Sequence, residues 1–279
     1  MPTMDSQRGD AAVSGAFGSG VLETGMARIL ILGGTAEARQ LGGRLAGRAG
    51  LDITLSLAGR TATPAAQPVP VRVGGFGGAD GLANYLVSER IDALIDATHP
   101  YATMISANAV EAARRGGVPL VALRRPPWIK VAGDRWIEVS DVDEAVHALG
   151  HTPRRVFVAL GRNELAPFGN APQHYYLIRS VDPVDPPLRL PQAGYVTGRG
   201  PFGEADDRAL MTEHRIDVVV AKNSGGPATY GKIAAARALG IDVIMLRRPA
   251  APACASVATI EDAIAWLDHA LTSAAARGV

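Results

Sequence analysis

A histidine, a tyrosine and a lysine lie in two short segments whose composition favours ligand binding or catalysis. His99 and Tyr101 belong to the segment Asp-Ala-Thr-His-Pro-Tyr-Ala at 96–102, and Lys222 opens the segment Lys-Asn-Ser-Gly-Gly at 222–226. Histidine titrates near neutrality, so an imidazolium at His99 would be a proton donor with a pKa near the reference value of about 6.5. We therefore take His99, Tyr101 and Lys222 as candidate catalytic residues, with bound water as a further proton source. A role for His99 in capping the following helix stays open.

Three loops in the second half of the chain each combine glycine with a cation. They contain Gly-Arg-Asn-Glu at 161–164, Gly-Arg-Gly-Pro-Phe at 198–202 and the Lys222 segment. Backbone amides and cationic side chains in such loops bind anions, although each loop alone is also compatible with a structural turn. Together they predict a polyanionic ligand. The candidate substrate-binding residues are Arg162, Arg199, Lys222, Asn223, Ser224 and Gly225.

A glycine-rich turn near the start of the chain has the composition of a phosphate-binding site. Leu-Gly-Gly-Thr-Ala-Glu at 32–37 lies between an apolar run and a helical pattern, where glycines admit a phosphate and Thr35 can cap the helix. About 20 to 30 residues further on, a Rossmann site reads the ribose. Ser56 and Arg60 offer a hydroxyl and a cation there, which suits the 2′-phosphate of NADP, although Arg60 is equally compatible with a solvated surface position. The candidate cofactor-binding residues are Gly33, Gly34, Thr35, Ala36, Ser56, Arg60 and Thr98.

The elements that position these residues alternate between short apolar strands and amphipathic helices. This alternation predicts an α/β fold with two Rossmann-like, doubly wound parallel-sheet domains that face a cleft. Strands are predicted at 28–32, 53–57, 69–73, 93–96, 118–123, 155–160, 175–179, 194–197, 218–221 and 242–246. Bounded helices are predicted at 81–89, 103–116, 142–149, 204–214, 230–239 and 261–271.

The sequence Arg-Arg-Pro-Pro-Trp at 124–128 interrupts this alternation, because its prolines stiffen the chain. We therefore predict an NADPH-binding Rossmann-like domain at 26–125 and a substrate-binding Rossmann-like domain at 126–279. Residues 1–25 are rich in Gly, Ala and Ser and have neither a basic nor an apolar signal region. They are predicted to be a mobile leader.

Composition excludes several classes of protein. The net charge of +1 does not favour a nucleic-acid partner, and no apolar run is long enough to span a membrane. The single cysteine, Cys254, excludes an intrachain disulfide and is compatible with a reducing compartment. No metal site is expected, and a cytoplasmic location is predicted.

Four of the motifs together resemble one family. They are Ile-Leu-Gly-Gly-Thr-Ala-Glu-Ala-Arg at 31–39, Asp-Ala-Thr-His-Pro-Tyr-Ala at 96–102, Gly-Arg-Gly-Pro-Phe at 198–202 and Lys-Asn-Ser-Gly-Gly at 222–226. In this order they are similar to the precorrin-6A reductases of cobalamin biosynthesis, over residues 26 to about 271.

The resemblance implies a two-domain oxidoreductase that uses NADPH to reduce a ring double bond of the tetrapyrrole precorrin-6A, giving precorrin-6B. The acetate and propionate groups of such a macrocycle would explain cations on several loops. Transient contacts with neighbouring pathway enzymes are compatible with this role. Two alternatives remain: a reductase of the cobalt-containing precursor, and a non-catalytic dinucleotide-binding sensor, because doubly wound folds host both classes.

Overall fold

The computed structural model describes residues 26–59 and 65–276, and the predicted leader at 1–25 lies outside them. Six parallel strands form a first sheet in the order β3-β2-β1-β4-β5-β12. These strands are β1 (Ala27–Leu32), β2 (Leu51–Leu57), β3 (Val71–Val73), β4 (Ala93–Asp96), β5 (Leu120–Leu123) and β12 (Ser256–Val257). Counted within this sheet, the order is 3-2-1-4-5-6, which is that of dinucleotide-binding Rossmann folds.

A second six-stranded parallel sheet has the same arrangement in its first five strands, but its sixth, outer strand comes first in the chain instead of last. Its strands are β6 (Trp136–Val139), β7 (Arg155–Ala159), β8 (Tyr175–Ser180), β9 (Ala193–Thr197), β10 (Val218–Lys222) and β11 (Asp242–Leu246). They are arranged as β9-β8-β7-β10-β11-β6. The predicted fold of two doubly wound parallel sheets is therefore confirmed.

Helices cover both faces of each sheet. They are α1 (Ala36–Leu45), α2 (Gly78–Ser88), α3 (Thr103–Gly116), α4 (Val142–Leu149), α5 (Glu204–Glu213), α6 (Gly231–Leu239) and α7 (Ile260–Ala276), with short 3-10 helices at Arg162–Glu164 and Ala166–Asn170. Two of them, α3 and α4, have the predicted bounds, whereas α7 continues beyond the predicted residue 271. Among the described residues, no helix is both long and apolar enough to cross a membrane.

The two halves of the chain exchange one outer strand. The chain passes from the first sheet to the second at 124–135, the first crossing segment, and returns at 247–255, the second crossing segment. β6 follows β5 in sequence but pairs with β11, and β12 follows β11 but pairs with β5. The backbone amide of Arg124 donates to the carbonyl of Val257 at 2.8 Å, and Leu267 of α7 is fully buried in the core of the first sheet. Two elements of the predicted second half at 126–279, β12 and α7, thus pack with the first sheet. Because β12 is only two residues long, it is too short to show a strand pattern in the sequence.

The apolar strands explain why both faces of the first sheet are covered. In β1, Ile29 and Ile31 point into the core beneath α1 and α7, while Leu30 and Leu32 point into the core beneath α2 and α3. All four are at most 2% exposed. A strand buried on both faces has a continuous apolar run rather than an alternating one. The ends of such rigid strands hold the loops of the site in fixed positions.

Candidate active site

The carboxyl-terminal edges of the two sheets meet at a contact between His99 and Ser224. His99 follows β4, Ser224 follows β10, and the His99 Nε2 and Ser224 Oγ atoms lie 3.1 Å apart. The other ring nitrogen, Nδ1, accepts from the backbone amide of Tyr101 at 3.3 Å. Because Nδ1 is an acceptor, Nε2 carries the proton of the neutral ring and donates it to the serine hydroxyl.

His99 is neutral at physiological pH. Burial, together with the nearby cationic side chains of Arg125, Lys222 and Arg248, lowers its pKa to about 3. Desolvation and like charges both disfavour the imidazolium. The lowered pKa disfavours the imidazolium that the reference value led us to expect, and the neutral ring is placed to donate a hydrogen bond to Ser224.

The Tyr101 hydroxyl has a partner on each side. It donates to the carbonyl of Leu246 at 2.5 Å and accepts from the amide of Asn223 at 2.9 Å. Burial raises the pKa of Tyr101 to about 12. With its one proton already donated, this hydroxyl ties the loop before α3 to the ends of β10 and β11. These contacts favour a positioning role over proton donation.

Lys222 lies beside a carboxylate that was not among the predicted site residues. Its Nζ atom is 2.5 Å from Oε2 of Glu164 and 4.8 Å from the ring centroid of Tyr101. Oε2 of Glu164 also accepts from the amide of Gly161 at 3.0 Å. The loop after β7 therefore holds the ammonium at the end of β10. Glu164 belongs to one of the predicted cation-bearing loops, but neither residue type nor spacing indicated that its carboxylate faces Lys222.

Asn223 and Gly225 hold the chain segment that connects β5 to β6. The Asn223 side chain accepts from the amide of Trp128 at 2.7 Å and donates to the carbonyl of the same residue at 2.9 Å. Gly225 has φ +67°, and a Cβ atom at this position would lie 2.1 Å from the carbonyl oxygen of Pro126. Their predicted part in substrate binding is thus accompanied by a structural contact that their residue types did not reveal.

Two arginines from the crossing segments converge on the backbone of Ser224. Nε of Arg125 and Nη2 of Arg248 donate to the Ser224 carbonyl at 2.7 and 2.8 Å. Arg248 also donates to the carbonyls of Asn223, Arg125 and Pro126. Both arginines were missed as site residues. The position of Arg125, two residues beyond the end of β5 at the same sheet edge, is the sequence feature that could have indicated it.

The glycine turn after β1 presents open backbone at the amino end of α1. Gly34 has φ +109°, and a Cβ atom there would meet nothing within 4 Å. Thr35 caps α1, since its hydroxyl accepts from the amide of Ala38 at 3.1 Å and donates to the carbonyl of Ala97 at 2.8 Å. Ala36 is the first residue of the helix. The amides of this turn and the positive end of the helix dipole fit a phosphate group.

Gly33 lies in close contact with β2. A Cβ atom on Gly33 would lie 2.7 Å from Cδ1 of Leu55, so the turn packs directly on β2. This close approach keeps the end of β1 beside its neighbour in the sheet and places the open backbone of Gly34 at the sheet edge.

A small cavity lies between the β4 edge and the second crossing segment. Its volume is about 60 Å³, and its lining includes Asp96, Thr98, His99 and Arg248. The buried Asp96 carboxylate accepts from the hydroxyls of Thr98 and Ser106 at 2.6 and 2.5 Å. The Thr98 hydroxyl is thus directed at Asp96, and the cavity adjoins the His99–Ser224 contact.

Three further predicted residues, Ser56, Arg162 and Arg199, lie at or after the ends of other strands. Ser56, at 5% exposed, is at the end of β2 with its hydroxyl oxygen 3.5 Å from Nη1 of Arg72. Arg60 lies outside the described residues. Arg162 and Arg199 are exposed in the loops after β7 and β9. Within the described ranges, no cluster of three or more His, Cys, Asp or Glu residues could hold a metal ion.

Comparison with known proteins gives one consistent result. The family model described as precorrin-6x reductase CbiJ/CobK matches residues 28–268. A precorrin-6A reductase of Sinorhizobium sp is 57% identical over 247 residues, covering 88% of this chain and 95% of the relative. A precorrin-6A reductase of Rhodobacter capsulatus is 50% identical over 255 residues, covering 91% and 100%.

More distant relatives bear a second name. A cobalt-precorrin-6A reductase of Priestia megaterium is 28% identical over 257 residues, covering 88% of this chain and 98% of the relative. Among solved structures, one described as CobK precorrin-6A reductase is 49% identical and superposes with a TM-score of 0.85, covering 88% of this chain and 97% of its own.

Proposed function

The chain belongs to the precorrin-6x reductase family, and we propose that it reduces its substrate with NADPH bound to the first sheet. Its activity is the reduction of precorrin-6A in cobalamin biosynthesis, an oxidoreductase reaction at a carbon–carbon double bond. The observation that carries the cofactor proposal is the sheet order 3-2-1-4-5-6 with the open Gly34 turn at its centre.

The residues of the first half fit a dinucleotide. The amides of Gly34, Thr35 and Ala36 would bind the pyrophosphate at the amino end of α1, as the open backbone there allows. Ser56 and Arg60 would bind the 2′-phosphate beyond the end of β2. Thr98, directed at Asp96 beside the small cavity, would lie near the reacting end. When bound, NADPH supplies the hydride for the reduction.

Lys222 is the proton donor that the contacts favour. Reduction of a ring double bond requires one proton as well as the hydride, and a donor must be charged or carry a free proton. The neutral His99 proton is directed at Ser224, and the Tyr101 proton is directed at Leu246. Lys222 has three N–H bonds and one carboxylate partner, Glu164, so two remain for the substrate. After transfer, the neutral amine regains its proton from water.

The second sheet would bind the carboxylates of the macrocycle. Arg162 and Arg199 follow β7 and β9, and Lys222 is the last residue of β10, so all three lie at one edge of this sheet. Asn223, Ser224 and Gly225 complete that edge, and the hydroxyl of Ser224 is oriented by His99. This division assigns the cofactor to the first half of the chain, at 26–125, and the substrate mainly to the second.

The cobalt-free substrate and a cytoplasmic location complete the proposal. Relatives that bear the precorrin-6A name share about twice the identity of the Priestia relative, which supports precorrin-6A over its cobalt complex. Cys254 is a free cysteine in the structure, and a free thiol is compatible with a reducing compartment.

The test measures oxidation of the nicotinamide cofactor from the change in its absorbance. Each of NADPH and NADH is combined with each of precorrin-6A and cobalt-precorrin-6A. We expect the highest kcat/KM for NADPH with precorrin-6A. A preference for NADH would contradict the cofactor proposal, and a preference for the cobalt complex would contradict the substrate proposal. Binding of NADPH without oxidation in either mixture would support a non-catalytic sensor instead.

A further inference from the structure

Arg72 lies at the part of the sheet edge where a Rossmann fold reads the adenosine ribose. It is the middle residue of β3 and pairs in register with Ser56 near the end of β2. Two strand spacings, about 10 Å, separate β3 from β1, which carries the Gly34 turn. A dinucleotide whose pyrophosphate lies at that turn would extend its adenosine half over β2 and toward β3.

The Arg72 guanidinium is held in one orientation by its surroundings. Nη1 donates to the carbonyl of Gly74 at 2.6 Å, and Nη2 donates to the carbonyl of Gly75 at 2.8 Å. The guanidinium carbon lies 3.8 Å from the ring centroid of Phe76 and 5.2 Å from that of Tyr85. Stacking and hydrogen bonds together make this cation a preorganised binding group.

Among the described residues, Arg72 has no carboxylate partner. Its two close hydrogen-bond partners are the backbone carbonyls of Gly74 and Gly75. A third N–H bond, of the five in all, is directed at Ser56 Oγ 3.5 Å away, which leaves two for a ligand. An anion beside Ser56 would meet a fixed cation and a hydroxyl.

The loop beside Arg72 leaves room for a ligand. Cβ atoms placed on Gly74, Gly75, Gly77 or Gly78 would meet nothing within 4 Å, so this glycine-rich loop borders open space. Gly59, the last described residue before Arg60, has φ +71°, and a Cβ there would lie 4.0 Å from the amide of Gly74. The backbone that leads to Arg60 therefore runs next to the loop that holds Arg72.

We propose that Arg72 binds the 2′-phosphate of NADPH and determines the preference for NADPH over NADH, with Ser56 as its hydroxyl partner. This inference rests on the proposed function, because it takes the nicotinamide cofactor to lie on the first sheet. It differs from the assignment to Arg60 in placing the main phosphate contact on β3. The guanidinium fork offers two-point binding that a lysine would not reproduce.

Isothermal titration calorimetry of the whole chain tests the proposal without turnover, because it measures the affinities for NADPH, NADH, 2′,5′-ADP and 5′-AMP directly. Arg72→Gln should weaken binding of NADPH and 2′,5′-ADP by about 10- to 100-fold, the range for one charge-assisted hydrogen bond. Binding of NADH and 5′-AMP should change by less than about twofold, since these lack the phosphate. Arg72→Lys should give an intermediate loss. The matched control is Arg208→Gln, at an exposed arginine of α5 in the second half.

Three results would overturn the assignment. One is an unchanged NADPH-to-NADH affinity ratio in Arg72→Gln; another is an equal loss for both nucleotides, which would make Arg72 a support for the glycine loop only. The third is a ratio that falls in Arg60→Gln but not in Arg72→Gln. If the unmodified protein already binds NADH as tightly as NADPH, the proposed cofactor fails first, so the two failures are distinguishable.

Discussion

Glu37 and Arg125 form an ion pair that joins the amino end of α1 to the segment crossing from the first sheet to the second. Oε2 of Glu37 lies 2.5 Å from Nη1 of Arg125, and their side chains are 22% and 16% exposed. Arg125 also donates to the Ser224 carbonyl. The proposed cofactor turn and the proposed substrate loop are therefore one hydrogen-bonded unit, connected by a single guanidinium.

The first prediction concerns this ion pair. Glu37→Gln removes the charge of the carboxylate and should lower the free energy of unfolding by about 1.5–3 kcal/mol, the range for a hydrogen bond to a charged group. It should also raise the apparent KM for precorrin-6A, because Arg125 then holds the Ser224 loop less firmly. Denaturant unfolding and steady-state kinetics measure both effects. A double-mutant cycle with Arg125→Gln that gives a coupling below about 0.5 kcal/mol would show that the pair is not coupled. Glu213→Gln, at an exposed carboxylate of α5, is the control.

The second prediction is a loss of stability in acid caused by His99. Its pKa in the folded protein is lowered to about 3 by burial, against about 6.5 in the unfolded chain. Between these values the unfolded chain binds a proton at His99 and the folded protein does not, so a fall in pH favours unfolding. From pH 7 to pH 5 this one group should remove about 2 kcal/mol of stability. Between pH 7 and pH 5, His99→Asn should therefore lose about 2 kcal/mol less stability than the unmodified protein. Denaturant titration at both pH values measures the difference. Equal losses in the two proteins would refute a buried neutral His99.

The third prediction separates Lys222 from the other proton sources. Lys222→Met should slow single-turnover cofactor oxidation by about 10²–10⁴-fold at saturating substrate, the usual contribution of a general acid. Glu164→Gln should slow it less, because the ammonium stays but loses its carboxylate anchor. NADPH affinity, measured by titration, should be unchanged in both variants. A full single-turnover rate in Lys222→Met would leave water as the proton source, and a collapse of NADPH binding would mean that the cofactor spans both halves.

The fourth prediction concerns Gly225 and has a matched control in the same chain. Gly225 and Gly50 both have positive φ, +67° and +77°, but a Cβ on Gly225 would clash with the Pro126 carbonyl whereas a Cβ on Gly50 would meet nothing within 4 Å. Alanine should cost about 1–2 kcal/mol of backbone strain at either position. At Gly225 the clash should add about 1–3 kcal/mol and raise the KM for precorrin-6A. Equal thermal destabilisation of the two variants would show that the loop moves away from Pro126 freely.

Local sequence patterns were sufficient to predict the architecture of two doubly wound parallel sheets. Buried parallel strands such as β1 need apolar residues on both faces, so their runs are continuous, and the glycine turns that follow them are visible in the sequence. Four motifs in order also indicated the family, which the match over residues 28–268 confirms. The predicted site residues of the second half lie at or after the ends of β7, β9 and β10, and the carboxyl ends of these parallel strands share one edge of the sheet.

Only the tertiary structure decided which strands are exchanged between the two sheets and which protonation state His99 adopts. β12 consists of Ser256 and Val257 alone, and two residues show no periodicity, so its pairing with β5 depends on contacts distant in sequence. The neutral state of His99 likewise depends on burial and on the charges of Arg125, Lys222 and Arg248, which the fold brings together. Spacing along the chain determines local structure, whereas pKa values and ion pairs depend on the distances between residues that only folding makes neighbours.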